Sequence, residues 1–141
     1  MIYKSNSEAE TEVFAERFAA RLKAGDVLAL FGDLGAGKTA FCRGLARGLG
    51  ITQRVTSPTF TIVNEYGTES PLPLFHFDMY RLGGSDDLFE LGFDDYLERG
   101  GIVLIEWSER IADALPEGAI VIRITREGDN ERRIEVENFE D

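Results

Sequence analysis

Residues 8–23 repeat with a helical period: Phe14, Phe18 and Leu22 recur every four positions among polar residues. Ser7-Glu8-Ala9-Glu10 has the spacing of a capping box ahead of them, and Gly25 is placed to end the run, so the pattern predicts an amphipathic helix from about Glu8 to Lys23. The pattern then changes character. Val27-Leu28-Ala29-Leu30-Phe31 is apolar without a break, as a strand covered on both faces must be, and it reads as the central strand of an α/β sheet. Gly32 to Gly37 is glycine-rich, and from Lys38 onward Phe41, Leu45 and Leu49 mark a second helix that stops at Gly50. The order is strand, glycine loop, helix.

Val55 to Pro58 reads as a turn or short strand, because a residue preceding proline avoids the helical region. Thr59 to Tyr66 and Leu74 to Tyr80 are rich in β-branched and aromatic residues and flank Gly67-Thr68-Glu69-Ser70-Pro71, which suggests an antiparallel pair. Ser85 to Leu97 is one helix interrupted at Gly92, or two short ones. Ile102-Val103-Leu104-Ile105 is a second buried strand, ending at Glu106-Trp107, and a short helix over 108–115 must stop before Pro116. Ile120 to Thr125 and Arg133 to Val136 alternate apolar and polar residues around Glu127-Gly128-Asp129-Asn130, a C-terminal hairpin. With no repeat, linker or low-complexity segment, residues 1–141 are expected to form one α/β domain with a mixed, mainly parallel sheet.

Composition narrows the functions. Of 141 residues, 15 are Lys or Arg and 26 Asp or Glu, a net charge of −11, which repels phosphate backbones and argues against a broad nucleic-acid face; DNA binding is not expected, and an RNA role would be indirect. A hydrophobic share of 43% with ten Phe closes a core and excludes a disordered acidic tail. One cysteine, Cys42, and one histidine, His76, offer no disulfide and no His/Cys cluster for a structural zinc. These facts suit a reducing cytosol. The N-terminus has no apolar signal core and the longest apolar run is too short for a bilayer, so a cytoplasmic protein without membrane partners is expected.

Gly32-Asp33-Leu34-Gly35-Ala36-Gly37-Lys38-Thr39 satisfies G-x-x-x-x-G-K-[ST] between a buried strand and a helix, the context that motif demands. Such a loop wraps its N–H groups around a phosphate chain, and the helix N-terminus adds partial positive charge. Lys38 would neutralise the β/γ oxygens, and Thr39 would offer its hydroxyl to Mg²⁺. A magnesium site also needs carboxylates near strand ends. Glu106 follows four aliphatics, as in a Walker B strand, and Asp78 ends Leu74-Phe75-His76-Phe77; which acid holds metal and which orients water stays open. Thr56, Ser57 and Thr59 are either metal-side hydroxyls or turn residues. His76 is a weak catalytic candidate against a buried histidine, Cys42 a small buried side chain, and Trp107 a packing residue or a wall near the nucleotide. Basic residues between Arg43 and Arg54 read as a solvated helix face or a basic strip.

GDLGAGKT, TSPTFTIVNEY, FHFDMYRL, ELGFDDYL and IEW, in that order and spacing, resemble the bacterial TsaE (YjeE) family over nearly the whole chain. The resemblance implies a single-domain P-loop NTPase-like three-layer sandwich. It implies a weak, partner-dependent Mg²⁺-ATPase that works with TsaD and TsaB in adding the threonylcarbamoyl group to the adenosine beside the anticodon, in tRNAs reading codons that begin with adenine. The tRNA would be met only through that complex, and ATP would serve to reset or regulate it. By matching position, Gly32 to Ala40 and Trp107 would lie at the nucleotide, Lys38 would bind phosphate, Thr39 and Glu106 would hold Mg²⁺, and Asp78 would be the second functional carboxylate. Thr11 matches a family position near the nucleotide. Ala40 stands where many members have a second Thr.

Two other classes compete. A small-molecule kinase would need an acceptor pocket and a lid with arginines, for which Arg81, Arg99 and Arg110 lie in suitable segments. A GTP-dependent switch would need an N-K-x-D guanine loop, and Asn64-Glu65-Tyr66-Gly67 lacks both the lysine and the aspartate.

Overall fold

The computed structural model describes residues 1–32, 37–52, 63–67, 72–78, 85–106 and 115–139, without the side chains of Asp78, Ser85 and Asp87. In chain order the elements are β1 (Ile2–Ser5), α1 (Glu8–Ala19), β2 (Val27–Phe31), α2 (Lys38–Gly48), β3 (Val63–Tyr66), β4 (Leu74–Asp78), α3 (Ser85–Glu90), α4 (Phe93–Glu98), β5 (Ile102–Glu106), β6 (Ile120–Arg126) and β7 (Arg132–Glu137). The strands form one sheet in the order β1-β7-β6-β2-β5-β4-β3. β6, β2, β5 and β4 are mutually parallel, while β7 and β3 run against their neighbours.

The uninterrupted apolar run of β2 occupies the middle of the sheet, and four of its five residues are buried. Side chains of period two sort onto the two faces. Leu28, Leu30, Leu74, Ile102 and Leu104 pack with α1 and α2, whereas Val27, Phe75, Phe77, Val103 and Ile105 pack with Leu88 of α3 and Phe93 of α4. The result is a three-layer sandwich, helices on both faces of a mixed sheet.

α1 starts where the capping box predicts: Ser7 Oγ accepts from Glu10 N–H at 3.1 Å. The return bond reaches one residue further back, from Asn6 N–H to Glu10 Oε2 at 3.1 Å. The helix ends at Ala19 rather than near Lys23, because Arg21 and Leu22 close tighter three-residue bonds and Asp26 caps the Lys23 N–H at 2.8 Å. The expected stripe faces the core, with Phe18 and Leu22 buried, and small residues widen it. Thr11, Ala15, Phe18 and Ala19 are inside, and Phe14 lies half-buried, stacked on Tyr3 at 4.6 Å between ring centroids.

The small residues are there because α2 comes close. A Cβ on Gly44 would fall onto the Glu12 carbonyl, and one on Gly48 would approach Ala19 Cβ to 2.6 Å. α2 closes with Ile51 N–H bonded to Ala46 O and Gly50 N–H to Arg47 O, a Schellman stop around the left-handed Gly50. α3 and α4 meet at Gly92, which is left-handed, so the expected interruption produces two helices. The expected antiparallel pair is seen as β3 with β4, and the terminal hairpin as β6 with β7, to which the unforeseen strand β1 adds an edge. The segment expected over 55–58 and all but the last residue of the helix expected over 108–115 lie outside the described residues. No helix among the described residues is long and apolar enough to cross a membrane.

Candidate phosphate and metal site

β2 delivers the chain to the glycine loop at Gly32, and α2 takes it up at Gly37. Gly37 is the N-cap at φ +104°, a left-handed backbone that suits glycine, and its carbonyl accepts from Phe41 N–H at 3.0 Å. The next residue, Lys38, is buried, while Thr39 is exposed on the first turn and Ala40 turns into the core. Asp33 to Ala36 lie outside the described residues, as do Thr56, Ser57, Thr59 and Trp107.

The two carboxylate positions meet in the sheet. β5 pairs with β2 so that Glu106 is opposite Leu30, two residues before the loop, and with β4 so that Glu106 is opposite Asp78. Parallel pairing therefore gathers the carboxyl ends of β2, β4 and β5 at one edge of the sheet, beside the start of α2. Ligands in open α/β sheets bind at such an edge.

Period two aims Glu106 and His76 at the face covered by α2, where Cys42 projects. His76 Nε2 lies 3.1 Å from Glu106 Oε2, and Cys42 Sγ lies 4.0 Å from both His76 Nε2 and Glu106 Oε1. All three side chains are buried. Burial pushes the Cys42 thiol well above its ordinary range; the Glu106 charge raises it further, while Lys38 and Arg43 pull it down. Cys42 and His76, for which no cluster able to hold a structural zinc was expected, are 34 residues apart in sequence but share a site with Glu106. No local spacing signals this, since the three ligands arrive on α2, β4 and β5.

Thr11 is buried on α1, with Oγ1 2.7 Å from Ser5 Oγ. Ser5 lines a cavity of about 290 Å³ with Lys4, Asn6, Glu127, Glu131 and Arg132. Arg132 also reaches the phosphate-loop end of α2: its Nε would lie 3.8 Å from a Cβ on Gly37. Only the hairpin turn brings Arg132 there, and no local pattern in the sequence marks it. Its guanidinium donates to the Gly128 and Glu131 carbonyls at 3.0 and 2.9 Å, which hold it over the turn.

Of the basic residues between Arg43 and Arg54, Arg43 and Arg47 are held in ion pairs, and Arg54 lies outside the described residues. Arg43 pairs with Glu8 and, at 3.5 Å, Glu12, and Arg47 with Glu12 at 3.6 Å and Glu16 at 2.9 Å. An acidic row at every fourth position of α1 thus meets an i,i+4 arginine pair of α2. Arg99, one of the arginines the kinase reading needs, pairs with Glu65 at 2.8 Å and lies over the Phe75 ring at 4.5 Å, so it serves the fold; Arg81 and Arg110 lie outside the described residues.

Comparison with known proteins agrees with this architecture. Residues 5–134 match the family model described as threonylcarbamoyl adenosine biosynthesis protein TsaE. The chain is 50% identical over 125 residues to the tRNA threonylcarbamoyladenosine biosynthesis protein TsaE of Bacillus subtilis, covering 89% of this chain and 77% of that one. It is 42% identical over 137 residues to the protein of that name from Rickettsia typhi, covering 95% and 94%. The crystal structure of Bacillus subtilis YdiB superposes with a TM-score of 0.81 at 44% identity, over 95% of this chain and 82% of that chain.

Proposed function

The chain belongs to the TsaE family, and from that premise we propose that it is a Mg²⁺-dependent ATPase serving the formation of threonylcarbamoyladenosine in tRNA, together with TsaD and TsaB. One observation carries this reading: the strand that launches the glycine loop is paired in register with the strand that ends in Glu106, so a buried carboxylate flanks the origin of a phosphate-binding helix.

The donor set suits a hard cation, which takes oxygen ligands. Thr39 offers an exposed hydroxyl on the first turn of α2, and Glu106 a carboxylate with Oε2 held by His76 and Oε1 turned toward α2. These two residues would hold Mg²⁺, which when bound spreads the charge of the β and γ phosphate oxygens. Lys38 binds the same oxygens from the helix start, and the amides around Gly37 supply fixed partial charge. Asp78, opposite Glu106 in the sheet, is the carboxylate available to orient the attacking water. The cavity beside Ser5 and Arg132 receives the nucleoside side of ATP, with Thr11 fixing the Ser5 hydroxyl that lines it.

A negatively charged protein whose loop-side arginines are paired to its own α1 is suited to docking on protein partners rather than on tRNA. The test is steady-state Mg-ATP hydrolysis by the full chain, alone and with TsaD, TsaB and tRNA, with Lys38→Ala as the blank. Slow turnover that rises with the partners and disappears in the variant is expected. Hydrolysis indifferent to the partners would remove the pathway assignment, and phosphate appearing on a metabolite instead of in water would replace it with a kinase.

A further inference from the structure

We propose that Cys42, His76 and Glu106 form a binding site for a thiophilic divalent cation of the zinc class, and that its occupancy competes with the use of Glu106 at the phosphate site. The second half rests on the ATPase reading; the first does not.

The cluster contains a thiol, an imidazole and a carboxylate, the three side-chain types that zinc takes. They come from α2, β4 and β5, so their backbones are fixed by the helix and by a parallel ladder. Tetrahedral coordination at ordinary zinc–ligand lengths separates sulfur from nitrogen or oxygen by about 3.6 Å, and nitrogen from oxygen by about 3.3 Å. Here Sγ lies 4.0 Å from Nε2 and 4.0 Å from Glu106 Oε1, Nε2 lies 3.1 Å from the other carboxylate oxygen, Oε2, and one ligand atom from each residue falls within 4.8 Å of the other two. Closing the difference takes a rotation of the Glu106 carboxylate, so that one oxygen serves both neighbours, together with an approach of Sγ, both side-chain adjustments that leave the backbone in place. Three protein ligands leave one position for water, the pattern of an open site and not of a closed structural one.

Charge also balances. Thiolate and carboxylate together neutralise a divalent cation in a buried setting where an uncompensated charge is costly. In the metal-free protein the His76 Nε2–H donates to Glu106 Oε2. On binding, the cation takes Nε2, the imidazole proton passes to Nδ1, which has no hydrogen-bond partner among the described residues, and the thiol proton leaves to solvent. One proton is released per cation. Magnesium gains nothing from sulfur, so the cysteine makes the cluster selective for softer ions.

The test uses Co²⁺ as a spectroscopic probe and Zn²⁺ as competitor on the full chain. Because the chain has one cysteine, a thiolate-to-cobalt charge-transfer band reports Cys42 alone. One Co²⁺ per chain with that band, displaced by Zn²⁺, is expected. Cys42→Ser should abolish the band, and His76→Gln should weaken Co²⁺ binding at least tenfold, with circular dichroism verifying the fold. Absence of Co²⁺ binding, binding without the band, or affinity unchanged in His76→Gln overturns the site; if His76→Gln does not fold, the wild-type band and its loss in Cys42→Ser still decide. Zn²⁺ should slow wild-type Mg-ATP hydrolysis and leave that of Cys42→Ser as it is without zinc; equal inhibition of both overturns the competition. If the wild type hydrolyses no ATP, the functional reading fails while the cobalt spectrum still decides the site.

Discussion

His76 Nε2 and Glu106 Oε2 are 3.1 Å apart across adjacent parallel strands, both beneath α2. A buried carboxylate that loses its donor bears the full cost of desolvation, about 1–3 kcal/mol, to which an emptied imidazole volume adds. His76→Ala is expected to lower unfolding free energy by about 3 kcal/mol in urea titrations. In a Glu106→Gln background the same change should cost at least about 1 kcal/mol less. Strict additivity would show that the pair is a coincidence of packing.

Glu106→Gln keeps the shape of the side chain and removes its charge. On the proposed reading, ATP still binds through the loop and Lys38, while turnover falls on the order of a hundredfold. Lys38→Ala instead loses nucleotide binding itself. Equilibrium binding of a fluorescent ATP analogue beside single-turnover hydrolysis separates the two, and a Glu106→Gln protein with normal turnover would exclude this carboxylate from the site.

Gly44→Ala sets a methyl group against the Glu12 backbone, which cannot swing aside as a side chain would. The better helix propensity of alanine, worth about 1 kcal/mol, does not offset the clash. A net loss of about 2 kcal/mol is expected, seen as a fall of roughly 6–8 °C in Tm. Gly25→Ala is the control, because a Cβ there meets nothing within 4 Å and the change carries only the strain of φ +90°.

Tyr96 donates its hydroxyl to Glu65 Oε2 at 3.0 Å, and its pKa is raised by partial burial first, then by that hydrogen bond and the Glu65 charge. A folded-state pKa above the unfolded value gives stability that is complete below about pH 10, the ordinary tyrosine value, and declines above it as the unfolded chain releases its proton first. Alkaline titration of tyrosinate absorbance should show a component that ionises above the ordinary tyrosine range. Tyr96→Phe should delete that step and Glu65→Gln move it to lower pH; an unchanged titration in both would refute the assignment.

Sequence patterns were most informative where the signal is local. An unbroken apolar pentapeptide can only be covered on both faces, and β2 is the middle strand. The start of α2 at Lys38 was legible for the same reason, since the glycine run and the helical pattern follow each other directly in the sequence. β1 escaped because four residues at a sheet edge bury little, and their partner β7 lies some 130 residues away. The Phe14, Phe18 and Leu22 stripe does face the core, but the closest approach of α1 to α2 went unread, because alanine and glycine carry no strong hydrophobic signal and yet set how closely two helices come together. Cys42, His76 and Glu106 were each noticed, but a cluster assembled from a helix and two strands has no spacing to read.

The glycine seam between α1 and α2 makes the pair a single stiff crank. Backbone lies on backbone at Gly44 and Gly48, so neither helix slides without the other. One arm of the crank begins at Lys38, on the phosphate loop; the other begins beside Ser5, where Thr11 is bonded to the outermost strand of the sheet. The seam therefore ties the helix that starts at Lys38 to the margin of the sheet at Ser5.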